Sequence, residues 1–179
     1  GLLTGPWTPF LLALPLAFAF WRDPAWIAFF AVPTPDEGLV PDVAALVGFG
    51  LAFGYGLLLE RRRDLLPRIA HWSPVFLAVA IAAGTGGYVL GHGPDLTPMP
   101  EPTLGKALTA GAVALAVYAS AFAAMGLCLR FLSSHSPIRR YLADASYWIY
   151  ILHLPLVMLA QVWIQSWTAP WWVKLGGIS

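Results

Sequence analysis

One ionisable side chain interrupts an otherwise uncharged apolar run late in the chain: His153, in Ala145-Ser146-Tyr147-Trp148-Ile149-Tyr150-Ile151-Leu152-His153-Leu154-Pro155. At about 100° per residue, Ser146, Tyr150, His153 and Gln161 fall within an arc of about 80° and form a polar stripe on one side of a helix. A histidine there can hold or move a proton, and the two hydroxyls can orient it. Pro155 has no N–H to offer the carbonyl of Ile151, which leaves an acceptor one turn from His153 and favours a kink. Two readings stand side by side. Ionisable groups in apolar spans usually face a bundle interior or a wet cavity, which makes His153 a site candidate. The same histidine bonded to a neighbouring helix is packing glue.

Arginines form the second set. Arg61, Arg62 and Arg63 follow one apolar run, and Arg139 and Arg140 precede another. Guanidinium groups bind phosphates in bidentate fashion, so these loops suit a phosphate-rich cosubstrate or anionic headgroups. Membrane topology by itself also places arginines in such loops. His71, His92 and His135 are scattered without metal-ligand spacing, so no metal site is expected. Cys128, the single cysteine, lies between Leu127 and Leu129 and reads as a packing residue.

The elements that must carry these residues are membrane helices. Of 179 residues 59% are hydrophobic and 11% charged, with a mean hydropathy of +0.70. A soluble domain carries about 25% charged residues, so this composition excludes one. It excludes disorder for the same reason. Apolar runs of about 17–25 residues are long enough to cross a bilayer, and they occur at about 2–21, 43–59, 72–91, 107–129 and 145–167. A sixth run begins at 170 and stops at 179. The expected fold is therefore all-α: one polytopic transmembrane helix bundle of five spans plus a truncated sixth. The first run lacks the basic flank of a signal peptide, and both ends are expected to be cuts through a longer chain.

Seven of the ten basic residues fall in the connectors at 61–71 and 130–144. By the positive-inside rule these are cytoplasmic, and the connectors at 22–42 and 92–105 lie outside. The apolar stretch at 25–32 is too short to span and suits the interface. In the second span Ala44, Gly48, Ala52 and Gly56 share one face, and Gly50 and Gly54 another, which permits close helix contact. The glycines at 48, 50 and 54 do not have dinucleotide-loop spacing. Ala112, Ala116 and Ser120 make the fourth span a packing helix whose polar groups bond to the preceding turn. A net charge of +1 without a long basic run predicts no nucleic-acid partner.

From Arg139-Arg140-Tyr141-Leu142-Ala143-Asp144 through Tyr147-Trp148-Ile149-Tyr150-Ile151-Leu152-His153-Leu154-Pro155-Leu156 the sequence resembles the late signature of the acyltransferase family 3 membrane proteins, nearest to the glucan-modifying (glucans biosynthesis protein C) type. Thr34-Pro35, Val40-Pro41-Asp42 and Phe53-Gly54-Tyr55-Gly56 through Glu60-Arg61 resemble that family's outer loop and following span. The resemblance implies a multi-pass enzyme of the inner (plasma) membrane, surrounded by membrane lipids. It would pass an acetyl or succinyl group from cytoplasmic acyl-CoA to a hydroxyl of an extracytoplasmic glycan. Acyl-CoA would serve as cosubstrate, with no tightly bound cofactor. His153, Tyr150 and Ser146 would take supporting catalytic roles, and Arg61, Arg62, Arg63, Arg139 and Arg140 would receive the CoA phosphates. The family's main catalytic histidine is expected upstream of Gly1, so the 179 residues alone are expected to be inactive. The rival readings are part of a transporter or flippase, with the polar stripe as a substrate path, and a structural membrane subunit.

Overall fold

The structure is a computed structural model, and it describes residues 5–33, 42–93, 95–134 and 137–165. Helices α1 (Thr8–Arg22), α2 (Val43–Arg61), α3 (Leu66–Leu90), α4 (Leu104–Phe131) and α5 (Pro137–Gln165) follow in order. Among the described residues there is no strand. Among the described residues four segments are long and apolar enough to cross a membrane: Val43–Arg61, Arg63–Leu90, Leu104–Phe131 and Arg140–Leu159. The fold is an all-α helical bundle. The chain divides into two compact units, Gly1–Ser133 and Ser134–Ser179, described in turn below. The sixth run expected at 170–179 lies outside the described residues.

Helix α1 is shorter than its apolar run. It starts at Thr8 with Pro9 in its first turn, a position that suits proline because no intrahelical N–H bond is lost there. Its 15 residues rise about 22 Å, less than a full hydrocarbon core. Helix α3 instead outruns its apolar window, starting at Leu66 and including Arg68, whose long stem lets the charge reach the membrane surface. Asp42 caps α2 by accepting the Ala45 N–H at 2.9 Å, and Thr103 caps α4 by accepting the Lys106 N–H at 3.2 Å.

In the first unit α1 and α3 both pack on α4, and α1 also meets α2. Leu16, Phe20, Ala44, Ala110 and Ala114 form one core cluster. Ile69, Phe76, Phe122 and Ala123 form another nearer the arginine-bearing end. Two glycines fix how closely α3 and α4 approach. A Cβ on Gly126 would stand 2.7 Å from both the Ile69 carbonyl oxygen and the Ser73 Cβ, and one on Gly87 would stand 2.9 Å from Val113 Cγ2. Pro74 leaves the Ala70 carbonyl without its helical donor, and the buried Ser73 Oγ donates to that oxygen at 2.9 Å.

The small-residue face of α2 is used in part. Ala44 is buried, and a Cβ at Gly48 would lie 3.2 Å from Val32 Cγ1. By contrast, Ala52 is exposed, and Gly50, Gly54 and Gly56 have open space where a side chain would stand. Tyr118 on α4 donates its hydroxyl to the Gly48 carbonyl at 3.1 Å. On α4, Thr109 Oγ1 donates to Gly105 O at 3.0 Å and Ser120 Oγ to Val117 O at 2.9 Å. Each hydroxyl is thus satisfied one turn back.

The short apolar stretch after α1 does more than rest at an interface. Trp26 is 2% exposed, stacks on Phe20 with centroids 4.6 Å apart, and donates its Nε1 hydrogen to the Ala31 carbonyl at 2.8 Å. Ala25, Phe29 and Phe30 remain exposed there. Stacking of large rings and a paired indole N–H outweigh the interfacial preference that aromatic residues otherwise show.

Candidate functional site

Helix α5 begins at Pro137, where the proline costs no hydrogen bond, and contains Pro155 in its interior. Tyr141, Asp144, Ala145, Trp148, Ile149, Leu152, His153 and Leu156 line a cavity of about 570 Å³. Their spacing of three and four residues is that of one broad helix face. His153 is half-buried and stands at the margin of that face. The polar arc through Ser146, Tyr150 and Gln161 begins on the other side of it.

Ser146 is not among the described residues lining the cavity, although it lies on α5 close in angle to His153. The side chains of Tyr150, Gln161 and Arg139 lie outside the described ones. Two cavity residues escaped sequence reasoning, Asp144 and Tyr141. Asp144 stands nine positions before His153, a rise of about 13.5 Å along the helix. That distance rules out a direct carboxylate–imidazole pair. Ala145, Trp148, Ile149 and Leu152 line the stretch between them, and Tyr141 and Leu156 extend the lining beyond Asp144 and His153.

The arginine cluster of the first unit sits where α2 ends. Arg62 makes a bidentate pair with Asp64, Nε donating to Oδ1 at 3.1 Å and Nη2 to Oδ2 at 3.2 Å. That hydrogen bond, and then the carboxylate's charge, hold the Arg62 guanidinium above its ordinary pKa. Arg63 Nη2 donates to Glu60 Oε1. Arg61 makes no salt bridge among the described residues and is the cluster's free cation. All three are exposed. Arg140 lies in the first turn of α5, in the other unit, and is exposed as well. Among the described residues no three His, Cys, Asp or Glu side chains gather closely enough to hold a metal ion.

At the opposite end of the first unit lies a charge that the sequence does not advertise. Lys106 is fully buried. Its Nζ donates to the Asp23 carbonyl at 2.5 Å and to the Met99 carbonyl. The Met99 N–H in turn donates to Trp26 O at 3.2 Å. One ammonium thus ties the end of α1, the loop before α4 and the first turn of α4 together.

A family model described as the acyltransferase domain, acyltransferase family 3, matches residues 2–179. The chain belongs to this acyltransferase family. No curated protein and no solved structure matches it. With its apolar helices, this acyltransferase is a membrane protein. Acyl transfer needs a group that accepts the proton of the attacking hydroxyl and a place from which water is held back. In the described part of the acyltransferase, His153 is half-buried beside this apolar groove, and Trp148, Ile149 and Leu152 along it are 63%, 64% and 52% exposed.

Proposed function

We propose that this membrane acyltransferase takes an acetyl or succinyl group from acyl-CoA at its arginine-bearing end and passes it to a hydroxyl of a glycan on the other side of the inner (plasma) membrane. The hydroxyl oxygen forms a bond to the thioester carbonyl carbon, the C–S bond breaks, and CoA leaves as the thiol. The proton lost by the hydroxyl passes through an imidazole to the departing sulfur. His153 assists that transfer or holds the acceptor, and Ser146 and Tyr150 on the same helix support it. Arg61 is the first phosphate contact, since Arg62 and Arg63 already hold carboxylates, and Arg139 and Arg140 complete the set.

The observation that carries this reading is the family match over residues 2–179 together with a half-buried histidine lining an apolar cavity on α5. The test is acyl transfer by the full-length protein from labelled acetyl-CoA or succinyl-CoA to a glycan. We expect His153→Ala to lower kcat by about 100-fold or more at unchanged expression. Full activity of that variant removes its chemical role. Movement of substrate across the membrane without release of CoA would instead favour the transporter reading.

A further inference from the structure

A second cavity, of about 530 Å³, opens between the end of α1 and the start of α2. Its walls include Phe18, Val43 and Val47, and its rim carries Arg22, Asp23 and Asp42. The volume falls within the range of small-ligand sites, about 300–1,000 Å³. The rim is set in advance. Asp23 accepts the Ala25 N–H on Oδ1 at 2.9 Å, and Asp42 accepts the Ala45 N–H on Oδ1 at 2.9 Å. Among the described residues neither Oδ2 accepts a hydrogen bond. Lys106 fixes the backbone of Asp23 from below through the 2.5 Å bond to its carbonyl. Among the described residues Arg22, Asp23 and Asp42 form no salt bridge, although the Asp23 carboxylate also feels the Lys106 ammonium, so the mouth carries both signs of charge.

We propose that this cavity binds a zwitterionic phospholipid whose headgroup carries a primary ammonium next to a phosphate. An ammonium has three hydrogens to donate, which suits two carboxylates lining one cavity, Asp23 just after α1 and Asp42 just before α2. The phosphate accepts from the Arg22 guanidinium. The first methylenes of the acyl chains lie against Phe18, Val43 and Val47, where removal from water or headgroup favours them. A free sugar would leave those apolar walls unmatched. A lipid with only an anionic head would meet two carboxylates, and a trimethylated ammonium would have no hydrogen to give them. The site lies at the end of the first unit away from the arginine cluster, and it shares no described lining residue with the cavity on α5.

The test is lipid retention by the purified full-length protein, read by native mass spectrometry. Phosphatidylethanolamine, phosphatidylcholine and phosphatidylglycerol of equal chain length are titrated singly, without acyl-CoA, so the outcome is independent of acyl transfer. We expect phosphatidylethanolamine to be held about tenfold more tightly than the other two, the gain of one charge-assisted hydrogen bond. The pair of changes Asp23→Asn and Asp42→Asn should bring that preference to near unity, and asparagine keeps the helix cap at position 42. Val47→Trp should lower retention of all three lipids by filling the cavity. Equal retention by the unaltered protein overturns the proposal. So does a preference that survives the double change, or retention unaffected by Val47→Trp.

Discussion

The ammonium of Lys106 reaches the carbonyl of Asp23 at 2.5 Å across 83 residues of sequence. An uncompensated cation in a buried place is costly. Here backbone oxygens of Asp23 and Met99 solvate it, and the carboxylates of Asp23 and Glu101 contribute favourable charge. The connectors at one end of the first unit are thereby held to the helix they flank.

Replacing Lys106 with methionine should cost about 1.5–3 kcal/mol, the range for a hydrogen bond to a charged group. Reversible unfolding in mixed micelles checks the value. A loss below about 0.5 kcal/mol would show that water takes over both carbonyls.

The hydroxyl of Tyr118 and the backbone of Gly48 form the direct polar link between α4 and α2. Tyr118→Phe should cost about 0.6 kcal/mol, the mean for hydrogen bonds between membrane helices. Gly48→Leu should cost more, about 1–3 kcal/mol, because it overpacks against Val32 and Leu16. The same unfolding measurement ranks the two, and the reverse order would refute the packing described at this crossing.

Glycines of α2, α3 and α4 should separate into two classes. Gly126→Leu and Gly87→Val push into backbone or a neighbouring side chain and should destabilise by about 1–3 kcal/mol. Gly50→Ala and Gly54→Ala enter open space and should stabilise by about 0.5–1 kcal/mol through helix propensity. Melting temperatures of the four variants in one detergent decide the matter.

The proposed acyl-CoA contact at the arginine cluster leads to a further prediction. Arg61 is unpaired, whereas Arg63 is held by Glu60 and Arg62 by Asp64. Arg61→Ala should raise the KM for acyl-CoA about two- to fivefold, as expected for an exposed ion contact. Arg63→Ala should raise it less, and Glu60→Gln should lower it by freeing Arg63. Initial rates at low and high salt test this, and an Arg61 effect that is independent of salt would count against a phosphate contact.

The spans were legible because an uncharged apolar run must be about as long as the bilayer is thick, a constraint written directly in residue type. Their ends were less so. Arg68 lies within α3 and Thr8 opens α1, because a long cationic stem tolerates a helix near the surface and prolines set starts locally. The Lys106 clamp had no sequence signal, since its acceptors are backbone oxygens that every residue possesses. On α5 the polar arc pointed to His153, yet Asp144 and the Trp148 wall lie on its other side. An arc drawn through polar residues cannot reveal a cavity that is mostly apolar.

Ser73, Pro74 and Gly126 meet at one joint: the serine supplies the hydrogen bond the proline cannot, and the missing side chain of the glycine receives the same turn of α3. Divergence at these positions is therefore constrained to move in concert. A descendant that gains a side chain at 126 needs α3 to withdraw first, and one that loses the hydroxyl at 73 keeps its fold more easily if the proline goes too. The joint should be inherited as a set of three, and its members should be poor sites for independent change.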